Sequence, residues 1–585
     1  MAGTAQAAIE CIRAPLAVIG RLFEEQGGEY RPHEFGKLVA EHFQGVLGDD
    51  GGGGGAARIP VFGREAAPKR GSLVRFRCMV QDPSYGEELH LSLAHVVNSE
   101  TGETQRRFSQ YTDADHSLDE GWDVDYSSAA NVFVEKEVAY CVSVPGQSEW
   151  AQLETPAALE RAMDALAISA EPEEASEEVA AHKYPLRGEK HSAALVKFYA
   201  PSTAPRVSTV VDVVGVYEPG RGGAAEEGAA WPCIHAIYHC ATTAGTGLAA
   251  LPRAEYAERR EMCLAHLASV LGGDDLAAHY LLLHLLSRTV RVQDAKVGKF
   301  SLNLIGVPAA EPAAATEPAR FALSSPAARW LGDAIGQLVP RSVEVPFDLG
   351  LLNRSAFLPS AEEGDLRAGV LQLPPDTELI CDETCLHEGT LDERGVRNLH
   401  ALQTAILDQS VAYAYPFQSI DVPASLRVLV LSVGKSILQN DCDLHLSRDA
   451  AQFLAGIAAG EPPGLRPLDP MHTEQLRQYL AAARDLDFSI PKDVSDAISA
   501  EYAAARREAH ERGAPLMSQE ELALAVTVAR LVSIGKGCAA LDLASWREAC
   551  ALEQRRRERA AAAKPRAAPK PDGAGPKPDG AEARP

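Results

Sequence analysis

Four short apolar runs in the C-terminal half of the chain place the tightest limit on its fold. Each is bounded by turn residues, and we interpret none of them as an alternating, half-buried strand: KFSLNLIGV (299–307), SVEVPFDL (342–349), TELICDE (377–383) and LRVLVLSV (426–433). Such runs are typical of strands buried on both faces, which occur in parallel sheets covered by helices. Helical stretches lie between several of the runs, so residues 255–460 predict an α/β domain with a central parallel sheet.

The rest of the chain predicts an α/β multidomain protein, because 585 residues are too many for one ordinary core. Apolar residues at helical spacing predict two short helices near the N-terminus. The strands LVRFRCMVQD (73–82) and EVAYCVSVPG (137–146) predict an OB-like β module. The predicted segments are an N-terminal helical segment (1–48), the OB-like module (58–154), an acidic linker (155–182), a second β-rich segment (183–250), the α/β domain (255–460), a helical lid (465–552) and a disordered tail (553–585).

Charge and composition exclude several classes of partner. The formal net charge is −25, and a surface this acidic repels phosphate backbones, so we expect no direct nucleic-acid binding by the whole chain. No run of about twenty apolar residues is present, so we expect no membrane span. The eleven cysteines show no spaced framework, which predicts reduced thiols in the cytosol or nucleus.

The first apolar run leads into a loop that resembles a phosphate-binding loop without its chemistry. Against the pattern G-x-x-x-x-G-K-[ST], the loop keeps Gly306 and places Glu311 where the second glycine belongs. Pro312 takes the place of the lysine and Ala313 that of the magnesium-binding hydroxyl residue. We therefore predict no tight ATP binding, no cofactor, no metal and no catalytic residue.

The third run ends in Asp382-Glu383, which has the Walker B form. In a working ATPase the aspartate holds magnesium and the glutamate orients the attacking water, so we interpret this pair as a vestige. A second candidate, Val433-Gly434-Lys435-Ser436, ends in GKS but has Leu429 where the opening glycine belongs. It follows the last run of the set, and we predict a turn there.

Taken with these motifs, residues 275–535 resemble the AAA+ module of MCM replicative helicases. LNLIGVPAAEPA resembles their strand and G-D-P-x-x-x-K-S loop, with Gly306 and Pro308 matching, and LICDET resembles L-I-D-E-F. LDERGVRNLHALQTAILDQSVAYAYP (391–416) resembles their helix and pre-sensor hairpin. The resemblance therefore implies a degenerate AAA+ domain.

The same resemblance implies that further functional side chains are lost. The DNA-facing hairpin lysine falls on Tyr415, and the sensor asparagine falls near Ser432 or Val433. The segment that carries the arginine finger falls on 440–444, where Asp441 takes the arginine's place. SQEELALAVTVARL resembles the helical lid, with Arg530 retained and with Gln519 or Glu520 at the position of the sensor arginine.

Over nearly the whole chain the sequence resembles the minichromosome maintenance complex-binding protein family. The segments that carry this resemblance, in order, are VRFRCMVQD, YCVSVPGQSEW, YPLRGEKHSAALVKFY, LAAHYLLLHLLSR, GKFSLNLIGVP, GVLQLPPDTELICDET and DCDLHL. The resemblance implies a non-enzymatic nuclear protein that associates with MCM helicase subunits during DNA replication and the cell division cycle. It further implies roles in assembling or protecting those subunits, in unloading them from chromatin, which it contacts indirectly, and in sister-chromatid cohesion.

Two other functions remain open from the sequence. The first is a conditional ATPase that a neighbouring MCM subunit completes. The second is single-stranded DNA binding through the OB-like region, with Phe76, Phe198 and Tyr199 as stacking residues, although we favour core positions for these aromatics.

Two local clusters also admit two interpretations. Cys233, His235, His239 and Cys240 lie close together, but their spacing fits no common structural zinc site, so we predict no metal there. The basic run at Arg555, Arg556, Arg557 and Arg559 fits a nuclear import signal or nucleic-acid contact and fits a solvated helix end equally well.

Overall fold

The fold is described from a computed structural model of the chain. The structure describes all residues except 1, 27–29, 48–58, 65–67, 115–119, 153–180, 187, 200–204, 221–230, 243–250, 293–294, 311–323, 363–364, 461–468, 514–515 and 564–585. The acidic linker predicted at 155–182 therefore lies almost wholly outside the described residues, as does Pro312 of the predicted phosphate loop.

The described secondary structure combines helices with several sheets. The helices are α1 (Ala2–Arg13), α2 (Pro15–Glu25), α3 (Pro32–Leu47), α4 (Glu149–Gln152), α5 (Tyr256–Val270), α6 (Asp275–Leu286), α7 (Pro326–Gly336), α8 (Leu349–Arg354), α9 (Glu393–Asp408), α10 (Arg448–Ala458), α11 (Pro470–Arg484), α12 (Lys492–Glu511), α13 (Gln519–Gly535) and α14 (Leu543–Ala563). The strands are β1 (Leu73–Asn98), β2 (Thr104–Phe108), β3 (Trp122–Val124), β4 (Val132–Ser143), β5 (Ala193–Phe198), β6 (Val210–Glu218), β7 (Cys233–Ala241), β8 (Val290–Val292), β9 (Ala295–Val297), β10 (Leu302–Ile305), β11 (Ser342–Pro346), β12 (Ser360–Glu362), β13 (Asp365–Arg367), β14 (Thr377–Asp382), β15 (Ser410–Ala414), β16 (Ser419–Pro423), β17 (Leu426–Ser432) and β18 (Cys442–His445). Among the described residues, no helix combines the length and the apolar character that crossing a membrane requires.

The N-terminal segment contains α1, α2 and α3 rather than the two helices that we predicted. Pro15 separates α1 from α2, because proline has no N–H to continue a helix but fits well at the first position of the next one. Phe35 and Val39 of α3 are buried, and Phe23 stacks on Phe108 of β2 with ring centroids 4.3 Å apart. The three helices therefore pack against the adjoining β structure.

The two β-rich segments, predicted as separate units at 58–154 and 183–250, are parts of one sheet. Neighbouring strands follow the closed order β1-β4-β5-β7-β6-β1, and all of these pairs are antiparallel except β5–β7. The register Leu73↔Val216 closes this five-stranded barrel. The two segments form one sheet because β4 pairs with β5 and β1 pairs with β6, and these strands are far apart in sequence. Periodicity within a strand carries no information about such pairing.

The central parallel sheet is confirmed. Its order is β11-β14-β17-β10-β18, and every neighbouring pair is parallel. All residues of β10, β14 and β17 are buried, as the absence of alternation predicted. The fifth strand, β18, was not predicted, because it has four residues and only Cys442 and Leu444 of these are buried.

The predicted helix and hairpin beside this sheet are also present. Helix α9 begins after Asp392, whose side chain accepts a hydrogen bond from the N–H of Gly395. Strands β15 and β16 follow as an antiparallel hairpin with the register Ser410↔Pro423. Tyr415, which the resemblance aligns with the DNA-facing lysine, lies in the turn of this hairpin.

In the described residues, α10 follows the sheet and α11–α14 form the region of the predicted lid, but α14 continues beyond the predicted end of that lid. We predicted a disordered tail from residue 553, whereas α14 runs to Ala563. Glu553 is buried and accepts a hydrogen bond from the Tyr280 hydroxyl at 2.5 Å, and Arg559 contacts the carboxylate of Asp274 at 2.7 Å. These contacts explain why the Arg-rich segment is helical. Residues 564–585 lie outside the described part of the chain.

Candidate functional site

The candidate site lies at the carboxyl edge of the parallel sheet. Gly306 follows β10, Asp382 ends β14 and Ser432 ends β17, so the parallel order brings the three residues to one edge. Ligands of open α/β sheets bind in the crevice outside this edge. The loop at Gly306 and the pair Asp382-Glu383 therefore lie at the edge where a nucleotide would bind.

The first part of the phosphate loop is folded back onto the protein. The N–H groups of Gly306 and Val307 donate to the Ser432 carbonyl oxygen at 2.9 and 3.1 Å, and the N–H of Ala310 donates to the Thr384 carbonyl at 3.1 Å. A phosphate-binding loop works by pointing its N–H groups at the ligand. Three donors of this loop are instead used within the chain, and Pro308, which lies between them, has no N–H to offer.

Asp382 is fully buried, and both of its carboxylate oxygens accept hydrogen bonds. Its Oδ1 accepts from the N–H and hydroxyl of Thr384 at 3.1 and 2.6 Å. Its Oδ2 accepts from the N–H of Ser325 at 2.7 Å and from the Cys385 thiol at 3.2 Å. A carboxylate engaged in this way serves as a structural acceptor, and binding magnesium would require it to give up some of these donors.

Through its contact with Ser325, the Asp382 carboxylate also lies at the amino end of α7. Ser325 caps this helix, because its hydroxyl accepts from the N–H of Ala328 at 3.1 Å. The amino end of a helix favours negative charge and is where phosphate binds in nucleotide-binding loops. Here the chain's own carboxylate occupies that position.

Glu383 is directed toward the turn that follows β17. Its Oε1 accepts from the Ser436 hydroxyl at 2.7 Å, and its Oε2 accepts from the N–H of Ile437 at 3.3 Å. Burial raises the pKa of Glu383 above its ordinary value, although these hydrogen bonds act in the opposite direction. The GKS sequence at 434–436 lies in this turn, as predicted, and helps to hold Glu383.

The positions that resemble neighbour-facing and sensor residues make contacts within the chain. Asp441, at the position of the arginine finger, contacts Lys299 at 2.5 Å and accepts from the N–H of Ser301 at 2.9 Å. Arg530 lies against Gly298, which precedes β10, so it is at the opposite end of that strand from Gly306. Neither side chain is placed to act at the carboxyl edge.

A buried charge network that we did not predict lies at the opposite edge of the sheet. Glu378 is fully buried in β14, His284 Nε2 lies 2.6 Å from its Oε1, and Arg427 Nε donates to its Oε2 at 3.0 Å. Burial raises the pKa of Glu378, but the charges of His284 and Arg427 outweigh it and the net shift is downward. The available signal was the glutamate inside the apolar run TELICD, because a buried carboxylate requires partners.

One group in the barrel has side chains of the kind that bind metals, although it differs from the zinc candidate. Carboxylate or imidazole atoms of Asp113, Glu218 and His235 lie within 4.8 Å of one another. The ammonium groups of Lys136 and Lys197 contact the Asp113 carboxylate at 3.1 and 2.7 Å. Two cations already neutralise this carboxylate, so the arrangement fits a buried ion-pair network better than a metal centre.

The residues of the zinc candidate are divided among other contacts. His235 is buried, and its Nδ1 lies 2.7 Å from the Tyr199 hydroxyl. His239 contacts the ring of Phe198, Cys233 donates weakly to the Trp231 carbonyl, and Cys240 is exposed. None of these contacts brings the four residues to one point.

The candidate stacking aromatics and the basic run have structural contacts. Phe76 and Phe198 are buried in the barrel, which agrees with the core positions that we favoured. In the basic run, Arg556 contacts Glu553, Arg557 lies 3.7 Å from Glu521, and Arg559 binds Asp274.

Comparison with known proteins identifies the family. A family model described as mini-chromosome maintenance replisome factor matches residues 56–167 and 158–560. The chain belongs to this family. The matched residues include the barrel, the parallel sheet and the helices that follow it.

Curated members of the replisome-factor family align over most of their length. The chain is 27% identical to the mini-chromosome maintenance complex-binding protein of Danio rerio, over 93% of this chain and 96% of that protein. It is 25% identical to the protein of that name from Homo sapiens and 28% identical to that from Drosophila melanogaster. Those two alignments cover 84% and 83% of this chain, and 89% of each relative.

Proposed function

We propose that this chain is a non-catalytic factor that binds MCM helicase subunits in the nucleus. Membership of a replisome-factor family and the printed name of the relatives, complex-binding protein, support this proposal. In this role the chain associates with the MCM complex to assemble, protect or unload it, contacts chromatin indirectly through MCM, and supports sister-chromatid cohesion.

The contacts at the carboxyl edge of the sheet support the non-catalytic part of the proposal. Asp382 accepts hydrogen bonds from Ser325, Thr384 and Cys385, and Gly306 and Val307 donate to Ser432. Binding a nucleotide and magnesium here would require breaking these contacts. The sequence offers no lysine in the loop to offset that cost.

We also infer the finer fold from the topology. The parallel sheet with its vestigial motifs at one edge supports a degenerate AAA+ domain, in which a surface for neighbours is kept and the chemistry is lost. The closed five-stranded barrel supports an OB-like module. A chain with this frame can occupy a position beside an MCM subunit without completing a working ATPase site.

Co-elution with purified MCM subunits tests the partner. We expect the full chain and individual MCM subunits to co-elute in size-exclusion chromatography, at low and at high salt. An unrelated acidic protein of similar net charge is the control, because a chain with a net charge of −25 attracts basic proteins without specificity. Failure of every subunit to co-elute would contradict the proposal.

Calorimetry with magnesium and ATP tests the non-catalytic part. We expect no saturable heat with the full chain, and the same result for the Glu383→Gln variant. Saturable binding together with turnover that Glu383→Gln abolishes would contradict it.

A conditional ATPase is the second candidate, because Asp382 and Glu383 are both kept at the carboxyl edge. It requires turnover that appears when MCM subunits are added. The decisive comparison is between the wild-type chain and Glu383→Gln in the presence of the same subunits. Equal turnover in the two samples would assign all activity to MCM.

A further inference from the structure

The longest strand of the barrel, β1, and its neighbour β4 extend into a ribbon, and residues 137 and 138 of β4 also pair with β5 at its base. Residues 86–91 of β1 pair with residues 133–138 of β4, in the register Leu89↔Glu135 and Leu91↔Phe133. Side chains directly opposite each other in an antiparallel pair point to the same side, as do alternate residues of one strand. One side of the ribbon therefore carries a set of side chains that we call the acidic–apolar face: Glu87, Leu89, Leu91, Phe133, Glu135 and Glu137.

Side chains on the opposite side of the ribbon make contacts within the protein. Glu88 binds the Lys197 ammonium group at 2.7 Å, and Lys136 binds Asp113 at 3.1 Å. His90 Nε2 lies 3.0 Å from the Ser109 carbonyl oxygen. These contacts fix which side of the ribbon faces inward, so the acidic–apolar face is the outward side.

The acidic–apolar face exposes apolar side chains and brings two like charges together. Leu89 is 66% exposed and Phe133 is 45% exposed. Glu87 and Glu137 lie directly opposite each other, and like charges in this arrangement repel. Burial and the charge of Glu87 raise the pKa of Glu137. One kind of ligand, combining positive charge with an apolar group, would remove all of these costs.

We propose that the acidic–apolar face binds an extended protein segment that carries Lys or Arg on both sides of an apolar side chain. The apolar side chain packs between Leu89 and Phe133. The basic side chains pair with Glu87, Glu135 and Glu137 around it. Charge complementarity of this kind fixes register and speeds association.

Charge also decides between the possible occupants. A nucleic acid would bring phosphates against three carboxylates, which is repulsive. A second copy of this chain, related by a two-fold axis, would bring the same acidic face against itself. A basic protein segment is the occupant whose charge is complementary.

The test uses the full chain and a fluorescent peptide of alternating Lys and Leu, with binding measured by anisotropy at several salt concentrations. We expect Leu89→Ser/Phe133→Ser to weaken binding at least tenfold at every salt concentration. We expect the acidic variant, Glu87→Gln/Glu135→Gln/Glu137→Gln, to weaken it at least tenfold at low salt and to flatten the salt dependence. The matched control, Glu100→Gln/Glu103→Gln/Glu120→Gln, removes the same charge from exposed positions and should bind as the wild type does.

A second measurement does not depend on the variants. Bound peptide should slow hydrogen exchange of the wild-type amides in 86–91 and 132–138, whereas a peptide of alternating Lys and Ser should give no such protection. Equal weakening by the control variant, wild-type affinity in Leu89→Ser/Phe133→Ser, or absence of protection in the ribbon would each overturn the inference. The assay contains no MCM subunit, so its outcome is independent of the proposed function.

Discussion

Asp382 accepts hydrogen bonds from two segments that meet at the carboxyl edge of the parallel sheet. Its donors are the N–H of Ser325 before α7, and Thr384 and Cys385 after β14. A carboxylate in this position can hold magnesium in a nucleotide-hydrolysing domain. Here the same side chain joins the start of a helix to the end of a strand, so its presence in the sequence is accounted for without catalysis.

The Asp382→Asn variant tests this role. The change replaces one acceptor oxygen with an NH₂ donor, which then faces N–H, hydroxyl or thiol donors. We expect the opening free energy of the first turn of α7 to fall by about 1–3 kcal/mol, measured by native-state hydrogen exchange. The exposed control Glu388→Gln should change it by less than about 0.5 kcal/mol. Unchanged exchange in Asp382→Asn would show that the carboxylate is dispensable for the fold.

Glu378 supplies a pH-dependent part of the stability of the parallel sheet. The charges of His284 and Arg427 overcome the effect of burial and hold its pKa below the ordinary value of 4.5. A carboxyl group whose pKa is lowered by folding stabilises the native state above its unfolded pKa. That contribution is lost as the pH falls through the folded value.

Glu378→Gln should therefore destabilise β14 and β17 at neutral pH, because it leaves the Arg427 guanidinium buried without its carboxylate. The expected loss is about 3–5 kcal/mol in the opening free energy from hydrogen exchange. The difference between the two proteins should begin to shrink as the pH falls below 4.5, where the carboxyl group protonates in the unfolded chain, and they should converge only below the lowered pKa of the folded state. A difference that stays constant with pH would contradict the charge network.

Among the secondary-structure elements, the strands of the parallel sheet were predictable and the closure of the barrel was not. Runs such as LRVLVLSV are buried on both faces, and this is visible within the run itself. Barrel closure depends on Leu73 pairing with Val216, and β18 depends on lying beside β10. Neither pairing is visible within the strand concerned.

The candidate site was also predictable only where its residues are adjacent in sequence. Gly306, Asp382 and Glu383 were found from motifs of adjacent residues. The partner that completes the role of Asp382 is Ser325, which lies 57 positions earlier. The network of His284, Glu378 and Arg427 was missed because its members come from one helix and two strands that only folding brings together.

The last turns of α14 provide the prediction at the level of elements. Arg559 binds the Asp274 carboxylate, which is buried and also caps α6 through the N–H of Ala277. A chain ending at Leu552 should lose about 2–4 kcal/mol, because Asp274 and Tyr280 lose their partners. A chain that ends at Ala563 keeps these contacts and should unfold at the wild-type midpoint in urea. Equal midpoints for the two truncated chains would contradict the structural role of 553–563.

At the scale of the whole molecule, contacts between the barrel and the α/β domain in the described residues include the following three. The first joins Trp150 and Ser148 to the carbonyl oxygens of Gly336 and Val339 at 2.8 and 2.7 Å. In the second, the buried side-chain amide of Gln372 donates to the backbone carbonyl oxygen of Gln81 at 2.8 Å, and the third joins the hydroxyls of Ser208 and Tyr413 at 3.0 Å. Separating the two units would exchange these hydrogen bonds for hydrogen bonds to water, so each contributes about 0.5–1.5 kcal/mol to holding the units together.

This arrangement predicts that the barrel and the α/β domain unfold together in the wild-type chain. They should unfold separately when the Trp150 part of the first contact is removed. Trp150 donates to the Gly336 carbonyl, and the Arg477 guanidinium lies 4.0 Å from its ring centroid. Trp150→Ala should cost about 2–3 kcal/mol of coupling, from one hydrogen bond and one cation–π contact. Calorimetry should then resolve two transitions in place of one. Trp122→Ala, in β3 beside residues 96–98 of β1, is the matched control and should keep a single transition, because that part of the sheet is remote in sequence and pairing from the α/β domain. If Trp150→Ala also unfolds in one step, the prediction is wrong, and the contacts that remain, among them the hydrogen bond from Ser148 to Val339, are sufficient to couple the two units.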